Sequence, residues 1–162
     1  MSRTPTIVTR ARALALEVHA GQKHGRTTTM PEHLRHVWQL LRDLGAPDAV
    51  QAAAWLHHAH KCGGQTPAWL YARGGYAVHR IVLWSSPAAL GECPQHLYAS
   101  AAALRCAERL VCARQAWGCN NLVLFRYHHE HDVFRQRWCC WLAPWAQPMI
   151  TMLDDVLTLP KP

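Results

Sequence analysis

Apolar residues recur along most of the chain at the spacing of three and four positions that is typical of helices. The apolar positions are Ile7, Ala11, Leu14, Ala15 and Val18 in residues 6–20, and Leu34, Val37, Trp38, Leu41 and Leu44 in residues 31–45. Gly21 and Gly45 predict the ends of these segments, and Pro31 predicts the beginning of the second. The pattern therefore predicts two amphipathic helices.

The rest of the chain predicts five further helices and no strand. They cover residues 48–62, 67–72, 76–84, 98–117 and 149–159, and Asp48 is the expected cap of the first. Gly74 and Gly75 separate the second from the third. Residues 21–30 and 85–95 are rich in turn-forming residues, so we expect irregular loops there. Without an internal repeat, residues 1–162 predict a single all-α domain.

The composition is that of a globular protein in a reducing compartment. Half of the 162 residues are hydrophobic and 17% are charged. No apolar run reaches the length of a membrane span, and the N-terminal residues do not read as a signal peptide, so we expect a cytoplasmic protein without a membrane partner. The seven cysteines include no C-x-x-C pair, which favours free and mostly buried thiols.

The formal net charge of +7 favours anionic partners. Phosphorylated metabolites and nucleic acid both fit this charge, but the chain has no Lys/Arg tract and no nucleic-acid-binding motif, so we do not expect nucleic acid. The chain also contains eight tryptophans. Trp138, Trp141 and Trp145 follow a helical spacing, which predicts either core packing or a tryptophan-rich surface for a protein partner or a homodimer.

Histidines are concentrated at the end of the third predicted helix. His57, His58 and His60 follow an apolar run, and neutral imidazole is the commonest protein ligand of transition metals. The segment therefore predicts either a metal site or a solvated helix end. His33 shares the apolar face of its helix. Glu108 also lies on an apolar stripe, where a carboxylate needs a cation, a metal or a proton.

Two stretches resemble the hydrolase domain of the RelA/SpoT alarmone enzymes, which belongs to the HD superfamily of metal-dependent phosphohydrolases. They are HAGQKHGRTTTMPEH at residues 19–33 and DAVQAAAWLHH at residues 48–58. The resemblance covers about residues 11–113, and the chain has about the length of the small stand-alone alarmone hydrolases. It implies an HD-type helical bundle, a divalent metal and a phosphorylated nucleotide or small anionic ligand.

The resemblance implies four metal ligands, which are His33, His57, His58 and Glu108. Two of them depart from the family, because His58 stands at the Asp of its His–Asp pair and Glu108 at its late Asp. A set of three histidines and a glutamate favours a borderline ion, and we expect Zn, Fe, Ni or Mn. Both departures lengthen a side chain, so the alternative is a distorted site that holds no ion.

The family residues that activate water are replaced. Its Glu-Asp dipeptide corresponds to Lys61 and Cys62, and a lysine is no general base unless its pKa is strongly lowered. Lys61 and the neighbouring His60 are the remaining catalytic candidates.

The substrate-binding residues are partly replaced. The family's substrate-contacting Asn corresponds to Cys112. Its basic pair corresponds to His24 and Gly25, flanked by Lys23 and Arg26. The resemblance therefore implies substrate contacts from Lys23, His24, Arg26 and Cys112.

Two functions are consistent with these residues. The first is a catalytically impaired pseudoenzyme that serves as a nucleotide-binding or protein-interaction module. The alternative is an active metal-dependent phosphohydrolase, with an altered metal site, that acts on a nucleotide or another phosphorylated metabolite. We favour the first because the acid pair and the substrate Asn are replaced together.

Overall fold

The computed structural model describes residues 4–86, 94–117, 119 and 121–158, and nearly all of its elements are helices. The helices are α1 (Ile7–Val18), α2 (Met30–Asp43), α3 (Asp48–Leu56), α4 (Pro67–Trp84), α5 (Gln95–Ala116), α6 (Asn121–His129), α7 (His131–Trp138) and α8 (Pro148–Thr158). Short 3-10 turns at Cys139–Trp141 and Pro144–Ala146 join α7 to α8. The prediction of an all-α fold is confirmed. Among the described helices, none is both long enough and apolar enough to cross a membrane.

α3 lies at the centre of the fold. It packs against α1, α2, α4 and α5. The buried residues of its last two turns are Ala52, Ala53, Ala54, Trp55 and Leu56. Three consecutive alanines allow the neighbouring helices to approach closely, because interaxial distance depends on the side chains at the contact. His57 and His58 follow directly and are therefore buried as well.

The third helix is shorter than predicted, and its cap differs. The Nδ1–H of His57 donates to the carbonyl oxygen of Ala54 at 2.7 Å. In a longer helix, the Ala54 oxygen would accept a hydrogen bond from the backbone N–H of the residue four positions later. Because the His57 side chain occupies this acceptor, the helix ends and residues 57–62 form turns. The prediction of Asp48 as the cap was wrong, because Pro47 occupies the N-cap. Asp48 is the first helical residue, where its charge is favourable near the positive end of the helix dipole.

The loop predicted at residues 21–30 contains a small hairpin, so the expectation of irregular structure was wrong there. β1 (Lys23–His24) pairs in antiparallel fashion with β2 (Thr28–Thr29), and Gly25 supplies a positive φ of 75° in the connection. A capping box then begins α2: the Thr29 side chain accepts from the Glu32 backbone, and the Glu32 carboxylate accepts from the Thr29 backbone.

Three other predictions have mixed outcomes. The glycine break falls at Gly75, whose φ of 79° and ψ of 175° kink α4. Of the predicted loop 85–95, residues 87–93 lie outside the described residues, as does the last residue of the helix predicted at 149–159.

The six described cysteines are free, but Cys62, Cys119 and Cys140 are exposed because they lie in turns beyond helix ends.

The predicted tryptophan cluster is split between core and surface. Trp138 is buried in the core and Trp145 packs partly buried against it. Only Trp141 is well exposed among these three. Core packing therefore accounts for most of this pattern.

The C-terminal helices are joined to α5 by a buried arginine. Arg109 is 3% exposed and donates to the backbone carbonyl of Tyr127 at 2.6 Å. Its guanidinium lies 4.3 Å from the ring centroids of both Tyr127 and Phe134. Glu130 lies 3.5 Å away and supplies an opposite charge. These contacts fix α6 and α7 against α5.

We expect Gly63→Ala to destabilise the protein. A Cβ at this position would lie 2.3 Å from the Val18 side chain and 2.8 Å from the Ala59 carbonyl oxygen. Overpacking of this kind costs about 1–3 kcal/mol. Chemical denaturation would measure the loss in the free energy of unfolding.

Gly64→Asn is the matched control for that substitution. Gly64 has open space around it and a φ of 67°, a conformation that asparagine adopts more readily than most residues. Gly64→Asn should lower the free energy of unfolding by less than Gly63→Ala does. An unchanged stability of Gly63→Ala would contradict the close packing of the turn after α3.

Candidate functional site

The structure brings the four predicted metal ligands together inside the bundle. His33 comes from the first turn of α2, His57 and His58 from the end of α3, and Glu108 from the middle of α5. All four are buried. The ring centroids of His57 and His58 are 4.3 Å apart, and that of His33 lies 5.6 Å and 5.3 Å from them.

The possible ligand atoms form two overlapping groups rather than one set of four. His57, His58 and Glu108 make one group, and His24, His33 and His58 make the other, with the ligand atoms of each group within 4.8 Å of one another. His24 was expected to contact substrate from the loop. It also stacks on His33, with 3.8 Å between ring centroids. These histidine and carboxylate groups can hold a metal ion.

Hydrogen bonds leave one nitrogen of the His57 ring and one of the His33 ring available. His57 donates from Nδ1 to the Ala54 carbonyl, and His33 donates from Nδ1 to the Gln115 side-chain oxygen at 3.2 Å. Each Nε2 then has a free lone pair. The Nε2 atoms of His33, His57 and His58 are buried and have no hydrogen-bond partner within the described chain. Such nitrogens are costly unless something binds them, and a metal ion would.

Burial keeps the imidazoles neutral. Loss of solvent lowers the pKa of His33 to about 3, that of His57 to about 4 and that of His58 to about 2. Burial alone would raise the pKa of Glu108, but the charges of His57 and Arg105 outweigh it and hold that pKa at about 2. Since the rings are neutral at pH 7, Arg105 provides the permanent charge, 2.7 Å from the carboxylate. Neutral imidazoles and an ionised carboxylate are the forms that bind metal.

The two predicted catalytic residues lie on the surface. His60 is exposed and donates from Nδ1 to the Gln65 carbonyl oxygen at 2.8 Å, across the turn after α3. Lys61 and Cys62 are exposed as well. His60 therefore belongs to the turn rather than to the buried imidazole cluster.

A cavity of about 690 Å³ lies beside the histidines. Three of the four predicted substrate-binding residues line it, namely His24, Arg26 and Cys112, whereas Lys23 is exposed and does not. Gln115, Arg126 and Tyr127 also line it. Among the described residues that form its walls there is no aspartate or glutamate, so its charge is positive.

Sequence reasoning missed the wall formed by α6. Arg126 and Tyr127 lie beyond residue 113, where the resemblance ends, and nothing in the spacing of α6 distinguishes them. Gln115 also went unnoticed, although one turn of helix separates it from the predicted Cys112. Burial raises the pKa of Cys112 to about 12, so its thiol is protonated and is a poor nucleophile.

A scan of the chain against protein-family models finds no match, and a search of curated protein sequences finds none either.

The metal-free protein should lose stability as the pH falls below about 6.5. The three buried rings have lower pKa values when folded than the 6.5 of a free imidazole, so the unfolded chain binds more protons and is favoured in acid. Each ring contributes a slope of up to about 1.4 kcal/mol per pH unit. Chemical denaturation at several pH values between about 7 and about 5 would measure it.

The matched variant for this experiment is His57→Asn, which removes one titrating ring. Its stability should depend less steeply on pH than that of the unmodified protein. Equal slopes for the two proteins would mean that His57 is not held neutral by burial.

Proposed function

We propose that this protein is an HD-type pseudoenzyme that binds a divalent metal ion and a phosphorylated nucleotide, with little or no hydrolysis of the nucleotide. One observation supports this most directly: the unpartnered imidazole of His33 contacts His24 and Gln115, and these two residues line a cavity that has two arginines and no carboxylate in its described walls. The resemblance of residues 11–113 to alarmone hydrolases supports the choice of nucleotide.

The metal would be held mainly by His57, His58 and Glu108, with the His33 ring close by. Glu108 is a suitable ligand because Arg105 binds only one of its oxygens, Oε2, while Oε1 lies 3.6 Å from His58 Nε2. Imidazole nitrogens and one carboxylate suit the borderline ions Zn, Fe, Ni and Mn.

The cavity is suited to a phosphate group. Arg26 and Arg126 line it, and guanidinium groups bind phosphate through paired, charge-assisted hydrogen bonds. Tyr127 provides a neutral phenol there, because burial raises its pKa to about 12. A phenol and an imidazole ring, that of His24, also offer flat surfaces to a nucleobase.

The residues near the site make poor general bases. Glu108 has a pKa of about 2 and is bound to Arg105, so it has little affinity for a proton. Lys61 is an exposed amine, and the Cys112 thiol is protonated. Loss of a general base typically lowers a rate by about 10²–10⁴-fold, which is why we favour binding over catalysis.

The alternative function, an active phosphohydrolase, has one observation in its favour. An ion held by the neutral imidazoles of His57 and His58 and by Glu108 would lower the pKa of a bound water, which could supply hydroxide without a separate base. The same activity measurements test both functions.

We expect His57→Ala to abolish the retention of manganese. The variant removes a buried ligand whose Nε2 has no other partner in the described chain. Metal analysis after purification from medium supplemented with Mn would measure it. His79→Ala, on α4, is the control and should retain metal as the unmodified protein does. Retention of Mg alone, or full retention by His57→Ala, would contradict the site.

We also expect nucleotide binding without turnover. Guanosine tetraphosphate should bind, and its hydrolysis with added Mn should stay near background because the acid pair is replaced. Arg126→Ala should weaken binding by about tenfold or more, the usual effect of losing a charge-assisted hydrogen bond. Arg73→Ala changes the same charge on an exposed part of α4 and should have little effect. Calorimetry would measure binding, and chromatography of the nucleotide would measure hydrolysis.

A second variant tests the reason for the missing activity. Restoring the family residues together means the substitutions His58→Asp, Lys61→Glu, Cys62→Asp, Glu108→Asp and Cys112→Asn. This protein should hydrolyse guanosine tetraphosphate faster than the unmodified one. Robust turnover by the unmodified protein would overturn the pseudoenzyme and favour the phosphohydrolase.

A further inference from the structure

Three histidines from three separate elements meet beside the cavity, and one of them, His24, lines it. His24 comes from strand β1, His33 from α2 and His58 from the end of α3. Their ligand nitrogens lie within 4.8 Å of one another. The ring centroids of His24 and His58 are 5.7 Å apart. This group contains nitrogen donors alone, whereas the group with Glu108 contains an oxygen donor.

Two of these three rings are buried with an unsatisfied nitrogen. His33 Nε2 and His58 Nε2 have no hydrogen-bond partner in the described chain, and His33 is oriented by its bond to Gln115. His24 is half-buried and stacks on His33, so its ring already lies against the other two. A single ion would satisfy the two orphaned nitrogens and hold the third ring.

We propose that His24, His33 and His58 form a second metal site that takes Zn²⁺ in preference to Mn²⁺, while Mn²⁺ takes the site with Glu108. The inference rests on the proposed metal-binding function and specifies which ion goes to which ligands. Imidazole suits Zn²⁺, whereas carboxylate oxygen suits Mn²⁺. Three histidines with an open fourth position are an established ligand set for zinc.

The two sites compete for one ring. A neutral imidazole has a single nitrogen lone pair, so His58 can bind one ion at a time. Zn²⁺ in the all-histidine site therefore excludes Mn²⁺ from the neighbouring site, and the expected stoichiometry is one ion per chain.

Zn²⁺ in this site also fastens the hairpin to the helices. The hairpin is only two residue pairs long, so few backbone hydrogen bonds hold it. His24 lines the cavity as well. An ion that binds His24, His33 and His58 together fixes the hairpin at the cavity, whereas an ion bound through Glu108 leaves it as it is.

The test compares the two ions in two variants. His24→Phe keeps a ring stacked on His33 but removes the ligand, and should weaken Zn²⁺ binding at least about 100-fold while changing Mn²⁺ binding by less than about threefold. Glu108→Gln should weaken Mn²⁺ binding strongly and change Zn²⁺ binding little. Lys23→Ala, beside His24 on the same strand, is the control and should change neither. Competition with a chromophoric chelator would measure both affinities.

Trypsin gives an independent measurement, because it cleaves after Lys23 and Arg26 on either side of Gly25. Both side chains are exposed. Zn²⁺ should slow cleavage at these two positions in the unmodified protein, as identified by fragment mass, and Mn²⁺ should not. In His24→Phe, Zn²⁺ should lose this effect.

The outcomes separate this inference from the proposed function. If His24→Phe binds Zn²⁺ as tightly as the unmodified protein while His57→Ala still abolishes Mn²⁺ binding, the second site is wrong and the proposed function stands. Simultaneous binding of Zn²⁺ and Mn²⁺ would overturn the sharing of His58. If neither ion binds the unmodified protein, the proposed metal-binding function fails, and the second site fails with it.

Discussion

The structure depends on the burial of imidazole groups in a core that is otherwise made of small apolar side chains. The alanines of α3 bring its neighbours so close that His57 and His58 are sealed from water. A buried imidazole must stay neutral, and its lone pair needs a partner. The backbone and Gln115 satisfy the Nδ1 atoms of His57 and His33. The Nε2 atoms are left without a hydrogen-bond partner in the described chain.

This constraint relates the packing of the protein to its chemistry. Rings that pack without water cost stability, because their unpartnered nitrogens give up hydrogen bonds to solvent. Arg105 has a related effect on the carboxylate, because its positive charge keeps Glu108 ionised at a depth where burial alone would favour the protonated form. The local charges and the burial together prepare nitrogen and oxygen donors for a cation.

Much of the fold was predictable from the sequence, because helical periodicity and the glycines that end helices are local signals. The inward orientation of His33 and Glu108 followed from the same periodicity. The end of α3 was not predictable, because it depends on a side chain that competes for a backbone acceptor. The position of His24 depends on a hairpin too short to have a strand pattern. Arg126 lines the cavity because α6 packs on α5. The spacing of residues along the sequence does not predict that packing.

Arg109 has a consequence for any attempt to reduce this chain to a minimal domain. The resemblance ends near residue 113, yet the guanidinium of Arg109 is enclosed by Tyr127 and Phe134 and bonded to the backbone of α6. A fragment that stops after α5 would expose a charged group on an apolar helix and remove one side of the cavity. Truncation at the limit of the resemblance would therefore expose the side of α5 that packs against α6, α7 and α8.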